Sequence, residues 1–199
     1  MNFLGHAFLS FGDAEILTGN MIGDFVKGKI ALTKYPEKIQ QGILLHRAID
    51  EFADKHPASL RAKVWFRSTY GLYSGAIVDI LYDHFLANDP KHFLSDEDLM
   101  TFSKETYQNL FSLSAHFPKV FANMFPHMQE NNWLYNYRNL KGMDKALRGL
   151  KHRAQYMPNQ QEAYNIFIAH YYQIAQCYYE FMDDAINFVK IQLNQSPSL

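Results

Sequence analysis

The stretch ILLHRAIDEFADKH, residues 43–56, decides the fold. Set out at about 100° per residue, residues 38–55 divide into two arcs, the pattern of an amphipathic helix. Gln40, Gln41, Arg47, Glu51 and Lys55 share a polar arc. Ile39, Gly42, Ile43, Ile49 and Ala53 share an apolar one, with His46 and Asp50 near its centre. An ionised carboxylate on an inward face is costly unless it is paired or bound to a cation. A structural His–Asp hydrogen bond and a metal site are the two readings of that pair. Arg47 and Glu51, one turn apart on the wet side, read as a solvated ion pair.

A second stretch, GAIVDILYDHFLA at 75–87, is apolar nearly all the way round, as expected of a helix at the centre of a bundle. Apart from the Tyr82 phenol, its ionisable residues are Asp79, Asp83 and His84. Two carboxylates and an imidazole in such a helix repel and desolvate one another's charge, and a divalent cation offsets both effects. Mixed oxygen and imidazole ligands suit Mn, Fe or Zn better than Ca. GNMIGDFVKG, residues 19–28, places Asn20 and Asp24 one turn apart and ends on Lys27 and Gly28. His6 sits in the apolar run NFLGHAFL. Four segments thus each offer His or Asp on an apolar face.

The rest of the chain also reads as helix. The spacing predicts helices over 13–27 with an Asp13 cap, 36–55 opened by Pro36, 58–68, 73–87 and 142–154. Ser95 and Asp98 form a capping box for a helix to about residue 112. Pro118, Pro126, Asn131 and Asn132 are expected to break 117–138 into short pieces, and 160–193 reads as a long final helix, straight or kinked, before a polar tail, 193–199. No segment alternates with period two. The expectation is a single all-α domain, a helical bundle of 199 residues. Net charge of −1 gives no overall footprint for nucleic acid. Cys177 is the lone cysteine and reads as core packing, which fits a reducing compartment. The aromatic-rich run 170–181 likewise reads as packing. No apolar run could span a bilayer and no signal peptide is visible, so a soluble, cytoplasmic protein is expected.

MNFLGHAFLS, GNMIGDFVKG, GILLHRAIDEFADKHP, WFRS and DILYDHFL, with NNWLYNYRNLKGMDKALRGLKHR later, resemble the acyl carrier protein phosphodiesterase family, also called acyl carrier protein hydrolases. The resemblance is strongest over residues 1–90. It implies a helical fold related to the HD metal phosphohydrolases and a divalent metal, typically Mn2+, with Mg2+, Fe2+ or Zn2+ as alternatives. The implied reaction removes the 4'-phosphopantetheine arm from holo acyl carrier protein. Matching motifs by position points to His6, Asp24, His46, Asp50, Asp79, Asp83 and His84. Asp24, His46, Asp83 and His84 are the expected metal ligands. His6, Asp50 and Asp79 stand beside them, the last two as carboxylates that orient histidines. One departure is that the adjacent pair runs Asp83-His84, the reverse of the superfamily's His-Asp.

The chemistry so implied is attack of water on phosphorus with the serine oxygen leaving in line. His6 or another site histidine is the candidate acid, and Lys27 and Arg47 are candidates to hold the phosphate. An acidic carrier protein calls for a local basic patch, with Arg61, Lys63, Arg67, Arg138 and Arg153 the main candidates and Lys141, Arg148 and Lys151 beside them. Two rival readings share the same residues: a phosphohydrolase acting on nucleotides or another small phosphoester, and a helical interaction protein whose His/Asp network is structural.

Overall fold

The computed structural model describes residues 1–195, and among these no strand occurs. The all-α expectation holds, as one helical domain. The N-terminal run forms α1, Phe3–Phe8, followed by α2, Ala14–Ile22. Asp13 caps α2 by accepting from the amides of Glu15 and Ile16, so the expected cap is present. The helix is shorter than the predicted 13–27, because a 3-10 turn over Gly23–Phe25 replaces its last turn. A short α3, Lys29–Leu32, leads to α4, Glu37–Lys55.

α2 packs along α4 more extensively than any other pair of helices. The contact is backbone against backbone. A methyl at Gly19 would stand 2.1 Å from the Ile39 oxygen, and one at Gly42 would stand 2.3 Å from the Ile16 oxygen. Only hydrogen fits at either position.

α5, Pro57–Tyr70, begins with proline at its first position, and the His56 ring accepts from the Ala58 amide. It packs on α6, Ser74–Ala87, and on the final helix α12, Tyr171–Gln195. α6 is central as expected. Ile77, Leu81, Tyr82 and Leu86 are wholly buried, and α1 and α10, Leu140–Arg153, cover other sides of it. The capping box of Ser95 and Asp98 opens α7, Asp96–Ser112, and both of its bonds are made.

Three expectations change. Pro126 lies inside α8, Lys119–Glu130, without ending it, and a one-turn α9, Trp133–Asn136, follows. The long helix over 160–193 is two, α11, Gln160–Ala169, and α12, because His170 leaves helical geometry and stacks on Trp65 at 3.7 Å between ring centres. α12 also continues to 195, so the tail begins later than expected and 196–199 lie outside the described residues. Cys177 is buried, and Ile174, Tyr178 and Phe181 of the 170–181 run face the core, while Tyr172 is largely exposed. Among the described residues no helix is long and apolar enough to cross a membrane.

Candidate metal centre

His6 on α1 and His46 on α4 lie face to face, with ring centres 4.0 Å apart and planes 19° from parallel. Asn20 on α2 fixes both. Its amide donates to the His6 oxygen at 2.8 Å and to Ser10 Oγ at 3.0 Å, so its Oδ1 must be the atom 2.8 Å from His6 Nδ1. Its main-chain oxygen lies 2.7 Å from His46 Nδ1. An oxygen of this kind only accepts, so both imidazoles carry hydrogen on Nδ1 and turn Nε2 the other way.

Both Nε2 atoms face Asp50. His6 Nε2 is 3.2 Å from Oδ1 and His46 Nε2 is 3.2 Å from Oδ2. Asp24, in the 3-10 turn, adds an oxygen 3.5 Å from His46 Nε2. His46 Nε2 is nonetheless buried without an aligned hydrogen bond to any group. Gly23 makes the arrangement possible, since a methyl there would lie 2.3 Å from His46 Cγ.

The electrostatics follow from this packing. Burial and the neighbouring His46 push His6 down to about 4. Burial also disfavours charge on His46, but Asp24 and Asp50 outweigh it and hold the imidazole up at about 9. Asp50 is likewise partly desolvated, yet the two histidines keep its carboxyl far below the usual range. Hydrogen bonding to His46 lowers Asp24. The Met1 ammonium lies 3.0 Å from Asp79 and 3.4 Å from Asp50. Burial alone would lower it, and these two carboxylates raise it to about 10.

His6, His46 and Asp50 each offer a ligand atom, all within 4.8 Å of one another. With both Nδ1–H groups held by oxygen, the two Nε2 atoms, once deprotonated, and the Asp50 carboxylate would offer a donor set for a divalent metal. The clustering of these ligand atoms is compatible with a divalent metal. Above it opens a cleft of about 350 Å3 lined by Asp24, Lys27, His46, Arg47 and Asp50.

Not every expected residue is brought there. Asp83 is wholly buried and accepts from the amides of Asn2 at 3.3 Å, Leu4 at 2.7 Å and Gly5 at 3.0 Å. It caps α1, whose first amides have no partner within the helix. Burial pushes it up to about 7. His84 points away, with Nδ1 2.7 Å from the Tyr137 oxygen and Nε2 3.2 Å from the Tyr171 hydroxyl. The structure therefore does not place the Asp83-His84 pair beside His46. Asn20 and Asp24 do not share a helical face, because α2 ends between them. Arg47 is not paired with Glu51. It donates to the Val26 oxygen at 2.8 Å, and Lys55 takes Glu51.

The expected docking cations also change. Lys63 is buried and bound to Asp54 at 2.7 Å, so it cannot face a partner. Arg61 pairs with Glu180, Arg138 with Asp96 and Arg148 with Asp144. Arg67 and Arg153 stay exposed. Lys27 lines the cleft, and Lys29 and Lys34, close to it in sequence, are exposed, as is Ile30 at 83%. Sequence reading missed Lys29, Lys34 and the part played by Gly23. Three lysines within eight residues, and glycines on both sides of Asn20, were the available signals.

Comparison with known proteins places the chain in a family. The family model described as acyl carrier protein phosphodiesterase matches residues 1–185. A relative from Salmonella paratyphi A (strain ATCC 9150 / SARB42), named acyl carrier protein phosphodiesterase, is 29% identical over 91% of this chain and 93% of its own. A relative of the same name from Salmonella agona (strain SL483) is 28% identical over the same shares. No solved structure matches the chain.

Proposed function

The chain belongs to the acyl carrier protein phosphodiesterase family, and from that premise we propose that it hydrolyses the phosphodiester between a carrier-protein serine and 4'-phosphopantetheine. The observation that carries the proposal is the stacked pair His6 and His46, with both Nε2 atoms turned to Asp50 under a cleft edged by cations. The fold is proposed to be HD-like, with the site built across separate helices instead of on an adjacent His-Asp pair.

His6, His46 and Asp50 would hold a divalent cation, with Asp24 at the open side, and manganese is the proposed metal. When bound, such a cation supplies Lewis acidity toward a phosphoryl oxygen and lowers the pKa of water from about 16 to about 7. Asp79 would add negative charge behind Asp50, now balanced by the Met1 ammonium. His6 is proposed as a ligand and not as the acid, because its Nδ1–H is committed to Asn20 and it is held neutral. Lys27 lines the open side of the cleft and is the proposed partner of the phosphate. Arg47 is fixed by Val26 and braces the turn that carries Asp24 and Lys27. In the reaction a P–O bond forms from water, the bond to the serine oxygen breaks, and that oxygen takes a proton. The products are apo carrier protein and 4'-phosphopantetheine.

The proposed protein partner is acidic, and the exposed Lys27, Lys29 and Lys34 are the proposed cations that meet it. Arg67 is the remaining exposed candidate from the α5 patch. Incubation with holo acyl carrier protein and manganese, followed by intact mass, tests the reading. Loss of the whole arm, blocked by chelator and by Asp50→Asn, is the expected result. An unchanged mass, with bound metal and hydrolysis of a generic phosphodiester, would transfer the site to a different phosphoester. Reversal of Lys29 and Lys34 should slow turnover more at low salt than at high salt.

A further inference from the structure

A larger cavity, about 460 Å3, lies between the start of α1 and α10. It is separate from the cleft. The Met1 main-chain oxygen lies 3.0 Å from His6 Nε2 on one side, while Asn2 and Phe3 line the cavity on the other. Its volume falls within the range of small-molecule sites, about 300–1,000 Å3.

One stripe of α10 supplies its charge. Lys141, Lys145 and Arg153 stand at multiples of four residues along α10, and all three line the cavity. The missing member of that series is Gly149, where an added methyl would meet nothing closer than Arg153 Nη1 at 3.9 Å. The stripe is therefore open at its middle. Among the described residues no carboxylate lies within ion-pair distance of these three cations. Arg148, on another face of the same helix, is paired with Asp144 at 2.9 Å. The rings of Phe3 and Trp133 lie 6.2 Å apart, partly buried, and both also line the cavity.

Three cations without a carboxylate partner line one partly open cavity, and a single carboxylate would leave two of them uncompensated. A phosphate monoester carries close to two negative charges near neutral pH and three acceptor oxygens. The aromatic pair offers a face to a flat group. We propose that this cavity is a second ligand site, taking a phosphomonoester with a flat aromatic body. Lys141, Lys145 and Arg153 hold the phosphate, and Phe3 and Trp133 hold the body. The site is independent of the metal centre and of the reaction proposed there.

The test is calorimetric titration of chelator-treated full-length protein with adenosine 5'-monophosphate, with adenosine and inorganic phosphate as separate probes. The nucleotide is expected to bind once per chain and to change Trp133 fluorescence. Either fragment should bind at least tenfold more weakly. Lys145→Ala should weaken nucleotide binding at least tenfold. Gly149→Leu fills the open middle of the stripe and should abolish binding while raising the melting temperature, since leucine favours helix over glycine. Asp50→Asn should leave binding unchanged. Absence of nucleotide binding by the unaltered protein would overturn the proposal. So would binding that survives both Lys145→Ala and Gly149→Leu, or binding that Asp50→Asn removes.

Discussion

Asn20 and His46 are joined by a 2.7 Å hydrogen bond from the ring Nδ1 to the Asn20 main-chain oxygen, while the Asn20 side chain holds His6. One residue thus sets the orientation of both imidazoles. Asn20→Ala removes the His6 half and leaves the His46 half. Outer partners of this kind affect metal affinity by about 10–100-fold. The expected result is a loss of that size in manganese affinity by calorimetry, together with destabilisation of about 1–3 kcal/mol from the unsatisfied Ser10 and His6 groups. Unchanged affinity would show that His6 is held by packing alone.

Asp50 and Asp83 are both acids on inward helix faces, and they should fail in different ways. Asp50 touches both histidines and is half-buried, so Asp50→Asn, which keeps an oxygen beside them, should abolish hydrolysis and lower the melting temperature less than Asp83→Ala does. Asp83 accepts three main-chain amides at the start of α1. Asp83→Ala leaves buried donors without partners and should cost several times the roughly 1 kcal/mol of an ordinary exposed cap. Urea unfolding of the two variants separates the roles. Equal stability would return Asp83 to the metal centre.

That pair also shows where sequence reading stops. Helical period places a residue on a face, so His46 and Asp50 were legible from residues 38–55 alone. Period does not name the partner. Asp83 meets the Leu4 amide 79 positions away, and His84 meets the Tyr137 oxygen 53 positions away. An acid in an apolar helix answers a metal or an uncapped helix equally well. The break at His170 has the same origin, because its cause is a ring on Trp65 in another helix. Caps at Asp13 and Ser95 were legible because their partners lie within three residues.

Asp13 gives a pH signature. Partial burial raises its pKa, but the Ile16 amide and Lys38 ammonium outweigh that and hold it below the ordinary 3.8. A depressed folded pKa means that the unfolded chain takes up the proton first as pH falls. The contribution is present above the ordinary value and is lost as pH falls through the folded one. Asp13 is more than a third exposed, so solvent screening keeps the charge contribution small. Asp13→Asn retains a capping oxygen without the charge. It should be nearly as stable as the original near neutral pH and should lose less stability on going to about pH 3. Asp13→Ala should lose about 1 kcal/mol at both. Parallel acid curves for Asp13→Asn and the original protein would contradict this.

Gly23 is the glycine packed directly on the His46 ring. Its backbone has ordinary helical angles, φ −51° and ψ −42°, so alanine meets no conformational penalty there. The obstacle is His46, whose Cγ, Cβ and Cδ2 would lie 2.3–2.6 Å from the new methyl. Either the turn carrying Asp24 or the His46 ring must move. Overpacking of this kind costs about 1–3 kcal/mol, and a displacement of about 1 Å at a reacting centre can cost about 100-fold in rate. Gly75→Ala is the control, because its methyl would meet Lys63 Cε at an ordinary 3.5 Å and should stabilise α6 slightly. Gly23→Ala should therefore lose metal affinity and turnover together while circular dichroism still reports a folded helical protein. If Gly23→Ala keeps its turnover, the ring of His46 is not held by this turn, and the metal centre must tolerate a different placement of its second histidine.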